Sequence, residues 1–322
     1  MTFATTRRKI SRRAVKLMPF LRGLLPSPAI RVNEFPRRYP DLFVSADPRV
    51  EGSGLVSQLC RLATLESPAF RGWLERLHDG WHMHRKQWEH AYICQALHER
   101  GMLEPGRRGL GFAVGAEKLP SFFAALGCLI TATDLAADDE RNNGWAKTGQ
   151  WTGNRDALNA HSLCPADEFR ERVEFRSVDM NHIPDDLHGY DFTWSTCSFE
   201  HCGSLELGLE FLERQLDCLR PGGVAVHTTE FNLSSNNKTI GTGPAVIYRL
   251  RDIEDVVRRL VSRGHHVEPL DIDPGDRDID RFVDPPPYSG SAGGPYGRIK
   301  HLRLDLEGYA STSIGLILRK AA

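Results

Sequence analysis

Residues 109–135 set a glycine-rich turn (Gly109, Gly111, Gly115) ahead of a helix-like stretch that stops at Gly127. A β-rich run, Leu129 to Thr133, comes next and ends on Asp134, 19 residues after Gly115. No other feature limits the fold as strongly. The spacing reads as the strand–turn–helix–strand unit of a nucleotide site. Glycines let backbone approach a ligand closely, and an acid ending the second strand is placed to accept hydrogen bonds from a ribose diol. Glycines at such a turn also serve packing alone, so the turn by itself does not establish a ligand site.

Three later segments extend the pattern. Val173 to Met180 reads as a third strand ending near Asp179, Tyr190 to Cys197 as a fourth, and Leu219 to Phe231 as a Pro-Gly-Gly turn entering a fifth. Strands separated by helical segments predict a parallel sheet with helices on both faces. Ligands of such sheets bind outside the carboxyl ends of the strands. Gly111 to Gly115, Asp134, Asp179, Thr196 to His201, and His227 to Glu230 should then face one crevice.

With these residues in place, the chain resembles a class I S-adenosylmethionine-dependent methyltransferase from about Trp88 to its end. The carrying residues are Gly111-Phe-Ala-Val-Gly115, Asp134, Asp179-Met180-Asn181, Ser195 to His201, and Leu219-Arg-Pro-Gly-Gly223. The resemblance implies a doubly wound, seven-stranded, mostly parallel Rossmann-like α/β sheet whose last strand, Ser311 to Arg319, inserts antiparallel beside His266 to Ile272. S-adenosylmethionine is the implied cofactor. Trp88, Gly111, Phe112, Ala113, Gly115, Asp134, Leu135, Asp179, Met180, Asn181, Thr196 and Cys197 are its implied contacts. Asp134 takes the ribose, Asp179 and Met180 the adenine, and the glycine-loop amides the methionine carboxylate. Arg85, Lys86 and Glu89 lie on the preceding helix, which often covers the cofactor in this family. The chain departs from the family at Gly109, where an acid is usual. Contacts to the methionine amine must then come from elsewhere.

The domain reading is a basic arm over 1–25, a helical extension over 26–105 and a methyltransferase domain over 106–322 with an insertion over 273–310. Within the extension, Arg71 to Met102 reads as a helix. The arm holds seven lysines and arginines, and no acid precedes Glu34. An amphipathic helix on an anionic membrane face, a loosely packed arm and a targeting peptide all fit it. The formal net charge of -1 gives no sign of nucleic acid. Seven cysteines, an odd number without a pairing pattern, fit reduced thiols and a cytoplasmic location, with the inner membrane face as an option for the arm.

A hydroxyl acceptor must lose a proton, and histidine is the natural base. His201 and His227 are the candidates, with Glu230 nearby. A divalent metal on His201, His227 and Glu230 is conceivable, although no tight ligand motif supports it. In the insertion, Tyr288, Tyr296, Arg298 and His301 are candidate acceptor contacts, Tyr288 and His301 foremost, and their rings suit a sugar or a phenol. The leading expectation is an O-methyltransferase of a small molecule or saccharide. A nicotinamide-dependent oxidoreductase and a noncatalytic partner-binding relative are the alternatives.

Overall fold

A computed structural model describes residues 26–40, 54–142, 150–289 and 300–322. The basic arm and the insertion residues Tyr296 and Arg298 lie outside them. The strands are β1 (Ser57–Leu59), β2 (Met83–His84), β3 (Arg108–Gly111), β4 (Leu129–Asp134), β5 (Val173–Ser177), β6 (Tyr190–Thr196), β7 (Leu219–Asn232), β8 (His266–Val267), β9 (Leu270–Asp271), β10 (Lys300–His301), β11 (Leu304–Leu306) and β12 (Tyr309–Arg319). The α-helices are α1 (Leu62–Leu65), α2 (Pro68–Arg76), α3 (Arg85–Glu99), α4 (Leu119–Ala125), α5 (Ala166–Arg172), α6 (Leu205–Arg214), α7 (Leu250–Ser262) and α8 (Asp278–Arg281).

The main sheet runs β5-β4-β3-β6-β7-β12 and continues into β1 and β9, with β8 and β11 also on β12. The ladders from β5 to β7 are parallel, while β12 lies antiparallel to β7 across nine residue pairs, Ser311↔Asn232 to Arg319↔Val224. The fold is therefore the expected doubly wound, mostly parallel α/β sheet with an antiparallel last strand. Two details differ from expectation. The strand expected over His266 to Ile272 breaks into β8 and β9, and β1, from the N-terminal extension, takes the place beside β12. The helix expected over Arg71 to Met102 also breaks. His78 turns left-handed (φ 53°), and the chain runs through Asp79 and Gly80 before α3 begins.

Every residue of β6 is buried, because helices cover both faces of the sheet. One core holds Phe112, Phe199, Phe211 and Tyr248 under α6 and α7. The other holds Trp88, Phe123, Phe192 and Trp194 under α3 and α4. Ser204 caps α6 by accepting from the Leu207 N–H, and Leu209 and Leu212 turn inward as their spacing requires. All seven cysteines are buried and unpaired. Among the described residues no helix is long and apolar enough to cross a membrane.

The glycines of β3 have a packing cause. A Cβ on Gly109 would strike the Phe192 ring, and one on Gly111 would strike Trp194 and Val114. Phe123 meets both rings edge-on, at 5.7 and 5.1 Å, so neither can retreat. This is why no acid stands at position 109. Gly109→Ala and Gly111→Ala should each lower the free energy of unfolding by about 1–3 kcal/mol, as overpacking does. Gly72→Ala, inside α2 with open space around it, should instead add about 0.5–1 kcal/mol. Urea titration of the three variants checks both signs.

Candidate active site

The carboxyl ends of β3 to β6 open into one cleft of about 540 Å³. Of the residues expected from sequence, Ala113, Gly115, Asp134, Leu135, Asp179, Met180, Asn181, Thr196, Cys197, His201 and His301 line it. Trp88, Gly111, Phe112, His227, Glu230 and Tyr288 do not.

Those six have other partners. Trp88 is fully buried and stacks on Tyr92 at 4.7 Å. Gly111 lies under Trp194, and Phe112 packs edge-on against Phe211 at 5.1 Å. His227 corrects the expectation of a base on the fifth strand. It is fully buried, its Nδ1 lies 2.8 Å from Ser195 Oγ, and the Phe199 and Phe211 rings meet it edge-on. Burial pushes its pKa down to about 3, so it stays neutral and away from the cleft. Glu230 pairs with Arg85 and accepts from Ser311 Oγ at 2.6 Å. Tyr288 lies beside the cleft, where its hydroxyl donates to the Asp305 carbonyl at 2.9 Å.

At the glycine loop, Asp134 is nearly buried and accepts from the N–H groups of Gly115 (3.0 Å) and Leu135 (2.8 Å). Burial outweighs these bonds and lifts its pKa from 3.8 to about 6. The loop amides expected to bind an anion are mostly engaged. Phe112, Val114 and Gly115 donate to Trp194 O, Thr133 O and Asp134, and α4 begins only at Leu119. Asp179 lies past the end of β5. Burial works against its charge, but hydrogen bonds from Arg141, the Asn181 N–H and His182 win and hold its carboxyl below the usual value. Met180 and Val178 supply apolar wall beside it.

Sequence reasoning missed Glu117. It lines the cleft and accepts from Trp194 Nε1 at 2.7 Å, with His90 Nε2 3.9 Å away. Burial lifts its pKa from 4.5 to about 7. Its signal was its place two residues after Gly115 together with the missing acid at 109.

The far wall begins with the first turn of α3. His84 caps that helix by accepting the Lys86 N–H on Nδ1 at 3.1 Å. Its ring stacks on His301 at 4.8 Å, where β2 and β10 pair. His301 Nδ1 lies 2.7 Å from Asp284 Oδ2. Lys86 Nζ contacts Glu89 (2.9 Å) and the Thr196 carbonyl (3.2 Å). Arg85 pairs with Glu230 and with Glu89 (3.3 Å), and reaches Ser313 Oγ (3.2 Å) and Cys197 Sγ (3.4 Å).

The metal set His201–His227–Glu230 is not brought together. Among the described residues, the one group of possible ligands is Cys197, Glu200 and Glu230, all within 4.8 Å of one another. Arg85 binds Glu230 and touches Cys197, so a guanidinium supplies the positive charge there. His201 lines the cleft, with Nδ1 2.6 Å from the Pro244 carbonyl and Nε2 4.0 Å from Glu200.

No family model matches the chain, and no curated protein matches it. Solved structures do. The [4+2]-cyclase SpnF is 15% identical, with 84% of this chain and 100% of that chain covered at a TM-score of 0.46. An O-methyltransferase family protein from Burkholderia thailandensis is 14% identical (74% and 60% covered, TM-score 0.38). A SAM-dependent methyltransferase from Aquifex aeolicus is 17% identical (69% and 86% covered, TM-score 0.35).

The raised pKa of Asp134 has a measurable consequence. Its folded value, about 6, exceeds the ordinary 3.8. The protonated side chain therefore stabilises the ligand-free fold fully below about pH 4, and that contribution is lost as the pH rises through 6. Asp134→Asn has no such dependence. Denaturation at about pH 4.5 and 7.5 should show the variant gaining on the parent by on the order of 1–2 kcal/mol at the higher pH. A difference that does not change with pH would remove burial as the cause.

Proposed function

We propose that this chain is an S-adenosylmethionine-dependent methyltransferase whose acceptor is a hydroxyl of a small molecule or saccharide. The observation that carries this reading is the cleft at the carboxyl ends of β3 to β6, in a sheet whose last strand is antiparallel, with Asp134, Asp179 and Glu117 spaced along it. A dinucleotide-binding sheet would continue parallel beyond β7. The antiparallel β12 at that position disfavours the oxidoreductase alternative.

The residues fit the cofactor by their chemistry. S-adenosylmethionine carries a ribose diol, an adenine amine and an α-ammonium, and each needs an acceptor. Asp134 would take the diol. Asp179 would take the adenine edge, with Met180 and Val178 against the ring. Glu117 would take the ammonium, replacing the acid that Phe192 excludes from position 109. A cation beside Glu117 favours its charged form, so binding there draws the carboxyl down from about 7. When bound, the cofactor supplies an electrophilic methyl group on a sulfonium. The chain's own task is then to align a nucleophilic oxygen with that methyl and exclude competing water. The Trp194 indole keeps Glu117 at the glycine-loop end of the cleft, and the cap of α3 holds His84 at the acceptor end.

Calorimetry with S-adenosylhomocysteine tests the assignment. Asp134→Ala should weaken binding by more than about tenfold, the scale of lost hydrogen bonds to a charged group. Glu117→Gln should weaken it by about five- to tenfold, and NAD should give no heat. Parent-like affinity in Asp134→Ala, or binding of NAD in place of the homocysteine product, would sink the reading.

A further inference from the structure

We propose that His301 is the base that takes the acceptor's proton, that Asp284 fixes its tautomer, and that His84 donates to the same acceptor oxygen. This assignment rests on the methyl-transfer reading.

The proton positions are set by the hydrogen bonds. Asp284 is buried, and its Oδ2 accepts from the Ser289 N–H and Oγ–H, both at 2.8 Å. An oxygen already serving as acceptor to a backbone N–H leaves the proton of the 2.7 Å contact on His301 Nδ1. The lone pair of His301 is then on Nε2, which has no hydrogen-bond partner among the described residues. His84 has the opposite arrangement. Its Nδ1 accepts the Lys86 N–H, and burial, with His301 and Arg85 adding to it, pushes its pKa down to about 3. The ring is neutral and its proton is on Nε2.

The two stacked imidazoles, both lining the cleft, thus offer one donor and one acceptor nitrogen. A hydroxyl, which accepts and donates through one atom, matches that pair. An ammonium, all donor, does not match it. The neighbouring groups leave this arrangement intact. Tyr288 meets His301 edge-on at 5.3 Å while its hydroxyl bonds the Asp305 carbonyl, and Arg85 and Lys86 are turned to Glu89. His201 has a peptide carbonyl behind Nδ1 where His301 has a carboxylate. Glu200 lies 4.0 Å from His201, but on Nε2, the nitrogen that would have to face the acceptor; at His301 the carboxylate is behind Nδ1, where it steadies an imidazolium and leaves Nε2 to the acceptor. In the step, the acceptor O–H bond breaks and its proton goes to His301 Nε2. The oxygen pair forms the new C–O bond, and the C–S pair leaves with sulfur, which becomes a neutral thioether.

The test uses full-length protein and the variants His301→Gln and Asp284→Asn, each first shown to bind S-adenosylhomocysteine within about twofold of the parent. Loss of that binding in the parent would overturn the methyltransferase reading itself, separately from the base. With S-adenosylhomocysteine bound, diethyl pyrocarbonate should modify His301 and spare His227, as read by peptide mass spectrometry. Long-range ¹H–¹⁵N spectra should show His301 as the Nδ1–H tautomer in the parent and as a mixture in Asp284→Asn, a change that a purely structural carboxylate would not produce. With tritiated methyl donor and methyl β-D-glucopyranoside or catechol as acceptor, His301→Gln should lose about a hundredfold in kcat with KM for the donor unchanged. An unreactive His301 in the loaded protein overturns the proposal, as does an Nε2–H tautomer or a kcat within about threefold of the parent. If neither acceptor is turned over, the modification and tautomer results decide.

Discussion

Arg85 enters the interior at the first turn of α3 and meets two carboxylates there, Glu89 from its own helix and Glu230 from β7. Its guanidinium also touches Ser313 on β12 and Cys197 just past β6. One cation therefore joins the helix to three neighbouring parts of the sheet. Such a cluster adds little net stability, because desolvating the ions costs about what their attraction returns. Its effect is positional. A guanidinium has a fixed fork of donors, so the start of α3 can take few orientations over the strand ends. His84 and Lys86, on either side of Arg85, are set by the same constraint, and both line the cleft. Removing one partner would leave an uncompensated buried charge, which costs about 3–5 kcal/mol.

Most of the sheet was legible in the sequence because its signals are local. Gly111 to Asp134, the apolar run at Tyr190 and the Pro-Gly-Gly at 221–223 each declare an element within a few residues. The carboxyl-end rule then put Asp134, Asp179 and Thr196 to His201 at one crevice, and of these Asp134, Asp179, Thr196, Cys197, Ser198 and His201 border the cleft. The rule tells which end of a strand a residue occupies but not which face it points from. His227 shows the difference. Its strand is buried on both faces, and the pleat turns its imidazole under α6 toward Phe211, away from the ligand side. His301, which borders the cleft with its Nδ1 on Asp284, owes its place to β2 meeting β10. That pairing joins residues 83–84 to 300–301, and two-residue strands leave no periodicity to read.

On the proposed reading, Glu117 carries the charge that the resemblance expects at position 109. Phe192 and Trp194 fill the space above β3, so only glycine fits at 109 and 111. An acid at 109 would have to displace a ring pinned by Phe123. The same Trp194 that forbids a side chain at 111 points its indole N–H at Glu117 and fixes that carboxylate in the cleft. Packing that closes one route for an acid thereby orients another.

The described residues of the insertion over 273–310 are tied to the rest of the fold by buried hydrogen bonds. Within its described residues, Arg303 is fully buried, donating to the Pro274 carbonyl and to Thr312 Oγ1 (2.8 Å), with Asp280 at 3.5 Å. Asp280 in turn accepts the Leu62 N–H at 2.8 Å at the start of α1. These bonds tie α8, β11 and β12 into one block with the N-terminal extension. Asp284 belongs to that block, since its N–H donates to the Arg303 carbonyl and its own carbonyl accepts from Asp305, each at 2.9 Å. The carboxylate behind His301 is therefore held by backbone on both sides, and this rigidity lets a hydrogen bond of 2.7 Å define one tautomer. The Asp179 side of the cleft is built differently. There Arg141, about half exposed, reaches Asp179 from a short turn. On the proposed reading, the buried contacts around Asp284 would keep the proton-transfer geometry at His301 constant, while the more exposed Arg141–Asp179 pair would border the cofactor.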